Sequence, residues 1–304
     1  MCPNIAISIG DLNGIGLEIA LKEHEKIKNY CQPMYCIDED MLQHGAKLLK
    51  RKIPEDFITV PVSNSFIIKP SKISKKSGEY SFLSFKKAIK LAKRGIVDGI
   101  VTLPINKEAW KKAGINYVGH TDALRDIFKQ EAIMMLGCEK LYVALYTEHI
   151  PLKQVAKTIS LKKLTRFLLN LYNSYPQDHF IVLGLNPHAG DNGVMGDEET
   201  IISKAIKNVN KKLKNNIFYG PIPPDTAFTP HHLKENNRIV AIYHDQGLAP
   251  LKALYFDESI NISLNLPIIR TSVDHGTAFD IAYKNSNPST KSYINAIKAI
   301  TDMV

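Results

Sequence analysis

Short apolar runs alternate along this chain with longer segments in which apolar positions recur every three or four residues. The runs 4–9, 34–38, 99–102, 132–136, 141–147, 180–185, 239–243 and 268–272 predict strands. The segments 16–28, 41–50, 78–94, 161–175, 198–213 and 289–303 predict helices, and in 78–94 Phe82, Phe85, Ile89 and Ala92 fall at helical spacing. Strands alternating with helices predict an α/β protein with a largely parallel core sheet. The stretch 61–76 is rich in Ser, Lys and Pro and predicts a surface loop holding a short strand. No flexible linker interrupts the rhythm, so two lobes, if present, must share strands.

Composition narrows the class. At 304 residues, 44% hydrophobic and 23% charged, the chain has the make-up of a soluble globular protein with a sizeable core. No apolar run reaches the roughly 18 residues of a transmembrane helix. The start MCPNIAISIG lacks the basic and apolar regions of a signal peptide, so a cytoplasmic location is expected. Cys2, Cys31, Cys36 and Cys138 form no C-x-x-C pair and predict reduced, non-catalytic thiols. The net charge of +9 rests mainly on lysines spread over the polar sides of helices. Solvated faces account for it, and no nucleic-acid or membrane partner is expected.

In such sheets ligands bind beyond the carboxyl ends of the strands, and several unusual loops fall there. Residues 10–16, GDLNGIG, make either a tight turn or a backbone anion cradle, and their spacing is not G-x-G-x-x-G. A second loop runs from Thr102 to Lys107. His120 and Thr121 precede a helix; Thr121 is a candidate N-cap, and the pair could instead grip a phosphate or carboxylate. His149, His188 and His244 each lie just past an apolar strand, and three neutral imidazoles form a common catalytic metal set. Arg270 ends an apolar stretch, where either a carboxylate partner or a bound phosphate would satisfy it. Lys252 lies eight residues beyond His244 on a predicted helix. The segment 274–288 predicts a loop running into a helix.

The stretches TLPINKEAW, GHTDAL, TEHIPL, GLNPHAGDNGVMGDEE, GPIPPDTAF, YHDQGLAPLK and LPIIRTSVDHGTAFDIA, in this order, resemble the 4-hydroxythreonine-4-phosphate dehydrogenase family. HGTAFDIA, with Asn287-Pro288, is also similar to the adenosine loop of isocitrate and isopropylmalate dehydrogenases. The resemblance implies their two-lobed α/β/α fold rather than the usual Rossmann domain. It places residues 1–118 and 263–304 in a first lobe with the NAD adenosine loop. Residues 119–262 form a second lobe with the metal ligands and dimer interface, and the site lies in the cleft between the lobes. It further implies His149, His188 and His244 as ligands of one divalent metal (Zn, Co, Mg or Mn). His120, Thr121, Lys252, Asn261 and Arg270 become contacts of a phosphorylated small-molecule substrate. Asp274, His275, Gly276, Thr277, Ala278 and Asn287 become contacts of NAD or NADP, and a homodimer shares its sites, with one histidine from the partner. Leu12, Asn13, Leu17, Asp122 and Asn265 depart from the residues common in the family.

The implied reaction is metal-dependent oxidation and decarboxylation of 4-phosphohydroxy-L-threonine, with Lys252 or Asp245 handling the proton. A sister dehydrogenase acting on a phosphorylated sugar acid or a cyclic dihydrodiol is the nearest alternative. A basic nucleic-acid-binding protein is the alternative outside enzymes.

Overall fold

The structure, a computed structural model, describes residues 2–62, 65–284 and 286–304. The described residues cluster into two compact units, one within 2–130, 260–262 and 266–304, the other of 131–259 and 263–265.

The first unit is built on β1 (Asn4–Ser8), β2 (Gln32–Cys36), β3 (Ile58–Thr59), β4 (Gly99–Thr102) and β11 (Ile269–Val273), in the order β3-β2-β1-β4-β11. Every neighbouring pair in it is parallel. β4 is buried at all four positions and β11 at four of five, as expected of strands covered on both faces. The helix Lys75–Lys93 starts where the Ser74 side chain accepts from the Ser77 backbone N–H at 3.0 Å. Its Gly78 lets the helix Lys107–Lys112 approach closely, since a Cβ there would run into the Ala109 carbonyl. Phe85, Ala88, Ile100, Trp110, Ala123 and Leu124 share one core cluster.

The second unit holds β5 (Ile133–Cys138), β6 (Leu141–Leu145), β7 (Phe180–Leu183), β8 (Phe218–Ile222) and β9 (Arg238–Ala241), in the order β5-β6-β9-β7-β8. β5 and β6 are an antiparallel hairpin; the other pairs are parallel. Leu141, Val143, Leu183, Ile239, Ala241 and Leu251 centre its core. β10 (Ile260–Leu264) contributes residues to both units.

The structure departs from expectation in several places. The segment 119–130, expected in the second lobe, clusters with the first unit, because its helix His120–Phe128 buries Ala123 and Leu124 beside Phe85 and Trp110. Within 61–76 no described residue is in a strand; the two-residue β3 precedes it, and Phe66 and Ile68 pin the loop by burial. Ser63 and Asn64 of that segment lie outside the described residues. Residues 279–284 form a run of turns rather than a helix, and the next helix begins at Lys291. β8 and β10 were not predicted. Among the described residues, no helix is long and apolar enough to cross a membrane.

Candidate active site

Arg270 sits on β11 opposite Ile100 of β4, so Thr102, two residues further along β4, lies on the same face. That register lets the guanidinium reach the Thr102 hydroxyl, with Nε and Nη2 donating to Oγ1 at 3.2 and 2.7 Å. Arg270 is only 2% exposed, and burial pulls its pKa down to about 9. His120 opens the helix His120–Phe128, with its ring edge-on to Phe85 at 4.6 Å and to Trp110 at 5.4 Å. Burial, and after it the charge of Arg270, push its pKa well below the usual imidazole range, so His120 is neutral. Its Nε2 is buried with no hydrogen-bond partner among the described residues, and the same holds for Asn261 Oδ1 on β10. Buried polar atoms are rarely left unsatisfied, so these two call for a ligand.

Thr121 is buried in the first turn but is not the N-cap. Gly119 holds that place: its extended backbone presents a carbonyl to the Ala123 N–H at 3.1 Å, which starts the helix earlier than the Thr side chain suggested. Thr121 therefore belongs to the helical turn beside His120, at the positive end of the helix dipole.

Residues 274–283 are braced by residues 10–16. The Ile15 N–H donates to the Thr277 carbonyl at 3.1 Å, and the Tyr283 hydroxyl to the Leu12 carbonyl at 2.7 Å. Gly14 is required here, since a Cβ would collide with Thr277. Asp274 N–H donates to Ser292 Oγ at 3.0 Å, His275 Nδ1 lies 3.1 Å from the Gly276 carbonyl, and Asn287 Oδ1 accepts from Lys22 at 2.6 Å. Ala278 takes a positive φ of 45°. The departures in this region are accommodated: Leu12 and Leu17 are buried, and Asn13 accepts from the Lys69 N–H at 2.9 Å and donates to the Lys72 carbonyl at 2.6 Å. Asp11, fully buried, accepts from the Asn13 N–H and the Ser77 hydroxyl; burial outweighs both bonds and raises its pKa to about 6.

In the second unit the rings of His149 and His244 lie 5.4 Å apart. His244 opens the helix His244–Tyr255, and its Nδ1 lies 2.7 Å from Asp245 Oδ1. A carboxylate there fixes the tautomer and leaves the other ring nitrogen for a metal. His188 lies in a loop where residues 188–192 all take positive φ. Glu199 holds that loop: Oε1 accepts from the Leu185 and Asn186 N–H groups, both at 2.8 Å, and Oε2 from Asn186 Nδ2 at 2.9 Å. Burial raises the pKa of Glu199, and these bonds together more than reverse it, keeping the carboxylate ionised. Among the described residues of one chain, His188 does not join His149 and His244 in a three-ligand group. Two adjoining imidazoles with a carboxylate behind one of them suit a divalent ion. Lys252 Nζ lies 3.1 Å from Ser259 Oγ and over the Phe256 ring at 5.3 Å.

One other cluster has metal-like composition, His24, Glu25 and Asp56. Its cation is already present. Lys28 pairs with Asp56 at 2.5 Å and Glu25 at 3.2 Å, while the two His24 nitrogens face Tyr35 and Asp56. The cluster is a structural clamp. Thr102, Glu199, Gln246 and Asp11 are site-shaping residues that motif reading did not single out; each is an ordinary polar residue whose importance comes only from what it faces.

The fold is that of an α/β protein, and it holds a buried arginine near an imidazole whose Nε2 has no partner among the described residues, the kind of polar arrangement found in enzyme sites. Residues 29–300 match the family described as Pyridoxal phosphate biosynthetic protein PdxA. The 4-hydroxythreonine-4-phosphate dehydrogenases of Sulfurimonas denitrificans and Campylobacter fetus are 59% and 58% identical, each alignment covering 97% of this chain and 96% of the relative. A solved structure of a putative 4-hydroxythreonine-4-phosphate dehydrogenase from Salmonella typhimurium superposes with a TM-score of 0.84 at 33% identity, covering 100% of both chains. The chain belongs to the PdxA family, and it is a dehydrogenase.

Proposed function

We propose that the chain oxidises 4-phosphohydroxy-L-threonine with NAD and releases CO2, giving 3-amino-2-oxopropyl phosphate for pyridoxine 5'-phosphate synthesis. The observation that carries this reading is the buried Arg270 beside His120, whose Nε2 has no partner among the described residues. A phosphate monoester offers the guanidinium an anion and the imidazole a hydrogen-bond partner, and the relatives are named for such a substrate. A divalent metal held by His149, His188 and His244 would supply Lewis acidity at the substrate hydroxyl, and NAD or NADP would accept the hydride.

The chain's own residues do the rest. Arg270, His120 and Thr121 grip the phosphate end and fix the reacting carbon relative to it. Asn261 Oδ1, buried without a partner among the described residues, accepts from the substrate's amino group or hydroxyl. Lys252, held at Ser259, carries the proton, while Asp245 orients His244. Residues 274–278 and Asn287 receive the adenosine portion of the cofactor. Ile150 and Leu152 beside His149, and Val194 and Met195 beyond His188, are exposed apolar side chains. Such residues next to proposed ligands suit a homodimer in which the partner completes the metal set. A cytoplasmic enzyme is the consistent setting.

The test is turnover by the purified chain with NAD and added divalent metal. NADH and CO2 should form in equal amounts from 4-phosphohydroxy-L-threonine, stop with a chelator, and resume on adding metal. Faster turnover of threonate or erythronate 4-phosphate, or of a cyclic dihydrodiol, would replace the substrate. Retention on nucleic acid without NADH formation would replace the reading.

A further inference from the structure

We infer that Thr102 is a further residue of the anion site, orienting Arg270 and donating its own hydroxyl proton to the substrate's phosphate. The inference rests on the proposed role of Arg270, and it comes from counting hydrogens. A threonine hydroxyl has one proton and two lone pairs. Both lone pairs face Arg270, taking Nε–H at 3.2 Å and Nη2–H at 2.7 Å. The hydroxyl must then point its proton elsewhere. Thr102 is 0% exposed, and among the described residues its side chain makes no other hydrogen bond. A buried donor in this state needs an acceptor, and bonds accepted from a cation make its O–H a stronger donor.

Thr102 stands at the carboxyl end of β4, where ligands of parallel sheets bind. Its neighbours there are Arg270, and near enough to feel that charge, the neutral His120 with an unsatisfied Nε2. A cation, a hydroxyl proton and an imidazole, supplied by three separate elements, suit a group with several acceptor oxygens. The chemical class is a phosphate monoester or inorganic phosphate.

The experiment compares wild type, Thr102→Val and Thr102→Ser. Inorganic phosphate is titrated while thermal unfolding is followed, and KM and kcat are measured with 4-phosphohydroxy-L-threonine. Thr102→Val should weaken phosphate binding and raise KM by about 10-fold to 100-fold, the loss of a charge-assisted hydrogen bond, with kcat far less affected. Thr102→Ser should stay within about threefold of wild type, since it keeps the hydroxyl. Unchanged phosphate affinity and KM in a folded Thr102→Val protein overturn the inference, as does a drop in melting temperature with no change in phosphate affinity, which would mark a structural role. Should Thr102→Val not fold, Thr102→Ala against Thr102→Ser gives the same contrast. If wild type binds phosphate yet does not oxidise 4-phosphohydroxy-L-threonine, the proposed substrate fails alone, and Thr102 is judged on the phosphate titration.

Discussion

Gln246 donates its side-chain amide to the carbonyl of Gly184 at 2.7 Å while its oxygen accepts from the Ile242 N–H at 2.7 Å. It thereby ties the turn that carries His244 to the end of the strand leading to His188. Gln246 is buried, so its replacement strands two backbone groups. Gln246→Leu should lower stability by about 2–4 kcal/mol, the penalty for two unsatisfied buried groups. It should also weaken divalent-metal binding, because the histidine-bearing turns lose their common anchor. Urea unfolding and a cobalt titration check this, and a variant as stable and as tight as wild type would remove Gln246 from the role.

Asp245 makes a sharper case, since it is exposed and lies against one proposed metal ligand, His244. Asp245→Asn keeps the shape but removes the charge behind the imidazole. Metal affinity should fall by about 10-fold to 100-fold, as for other outer-shell carboxylates, while melting temperature stays put. Competition with a chelating dye measures the affinity. Equal affinity in wild type and variant would leave Asp245 without a function in metal binding.

How much of this was legible beforehand follows from where the information lies. Strands such as β4 and β7 are continuous apolar runs, and their periodicity is local, so they were read with little error. β10, INISL, carries the period-two alternation of a strand, but Asn261 and Ser263 break up its apolar residues, so a reading based on continuous apolar runs passes over it. β8, FYGPI, contains Gly-Pro and looks like a turn until its neighbours are known. The same division runs through the site. His120, His149, His244 and Arg270 carry chemistry that their residue types announce, whereas Thr102 and Gln246, though inside quoted motifs, matter through contacts 168 and 62 residues away in sequence. That 119–130 clusters with the first unit is hidden from the sequence for a similar reason. The residues that bury that helix, Phe85 and Trp110, belong to other segments.

Arg270 should separate substrate binding from metal binding. Arg270→Lys keeps the charge but loses the planar fork that Thr102 accepts. KM for the phosphorylated substrate should rise about 10-fold to 100-fold, matching the loss of about 1.5–3 kcal/mol in charged hydrogen bonding. Affinity for the metal should not change, because Arg270 is not among the proposed metal ligands. Steady-state kinetics beside a metal titration tests both halves. Equal losses of substrate and metal binding would show instead that Arg270 supports the whole fold.

Asp11 gives a pH dependence of defined sign. Its carboxyl titrates near 3.8 when exposed in the unfolded chain and near 6 in the fold, where burial disfavours the charge. Below about pH 4 both states hold the proton, and the contribution of Asp11 to stability is fully present. As pH rises from about 4 through 6 the unfolded state releases its proton first, so that contribution is lost, on the order of 2–3 kcal/mol by pH 7. Asp11→Asn fixes the neutral form. Its oxygen still accepts from the Asn13 N–H, and its amide faces the Ser77 hydroxyl, which reverses its role from donor to acceptor. The variant should therefore match wild type near pH 4 and exceed it by a growing margin up to pH 7, above which the margin is flat. Urea unfolding at intervals across that range measures it. A margin that is constant with pH, or largest at pH 4, would show that Asp11 is ionised in the fold from the start.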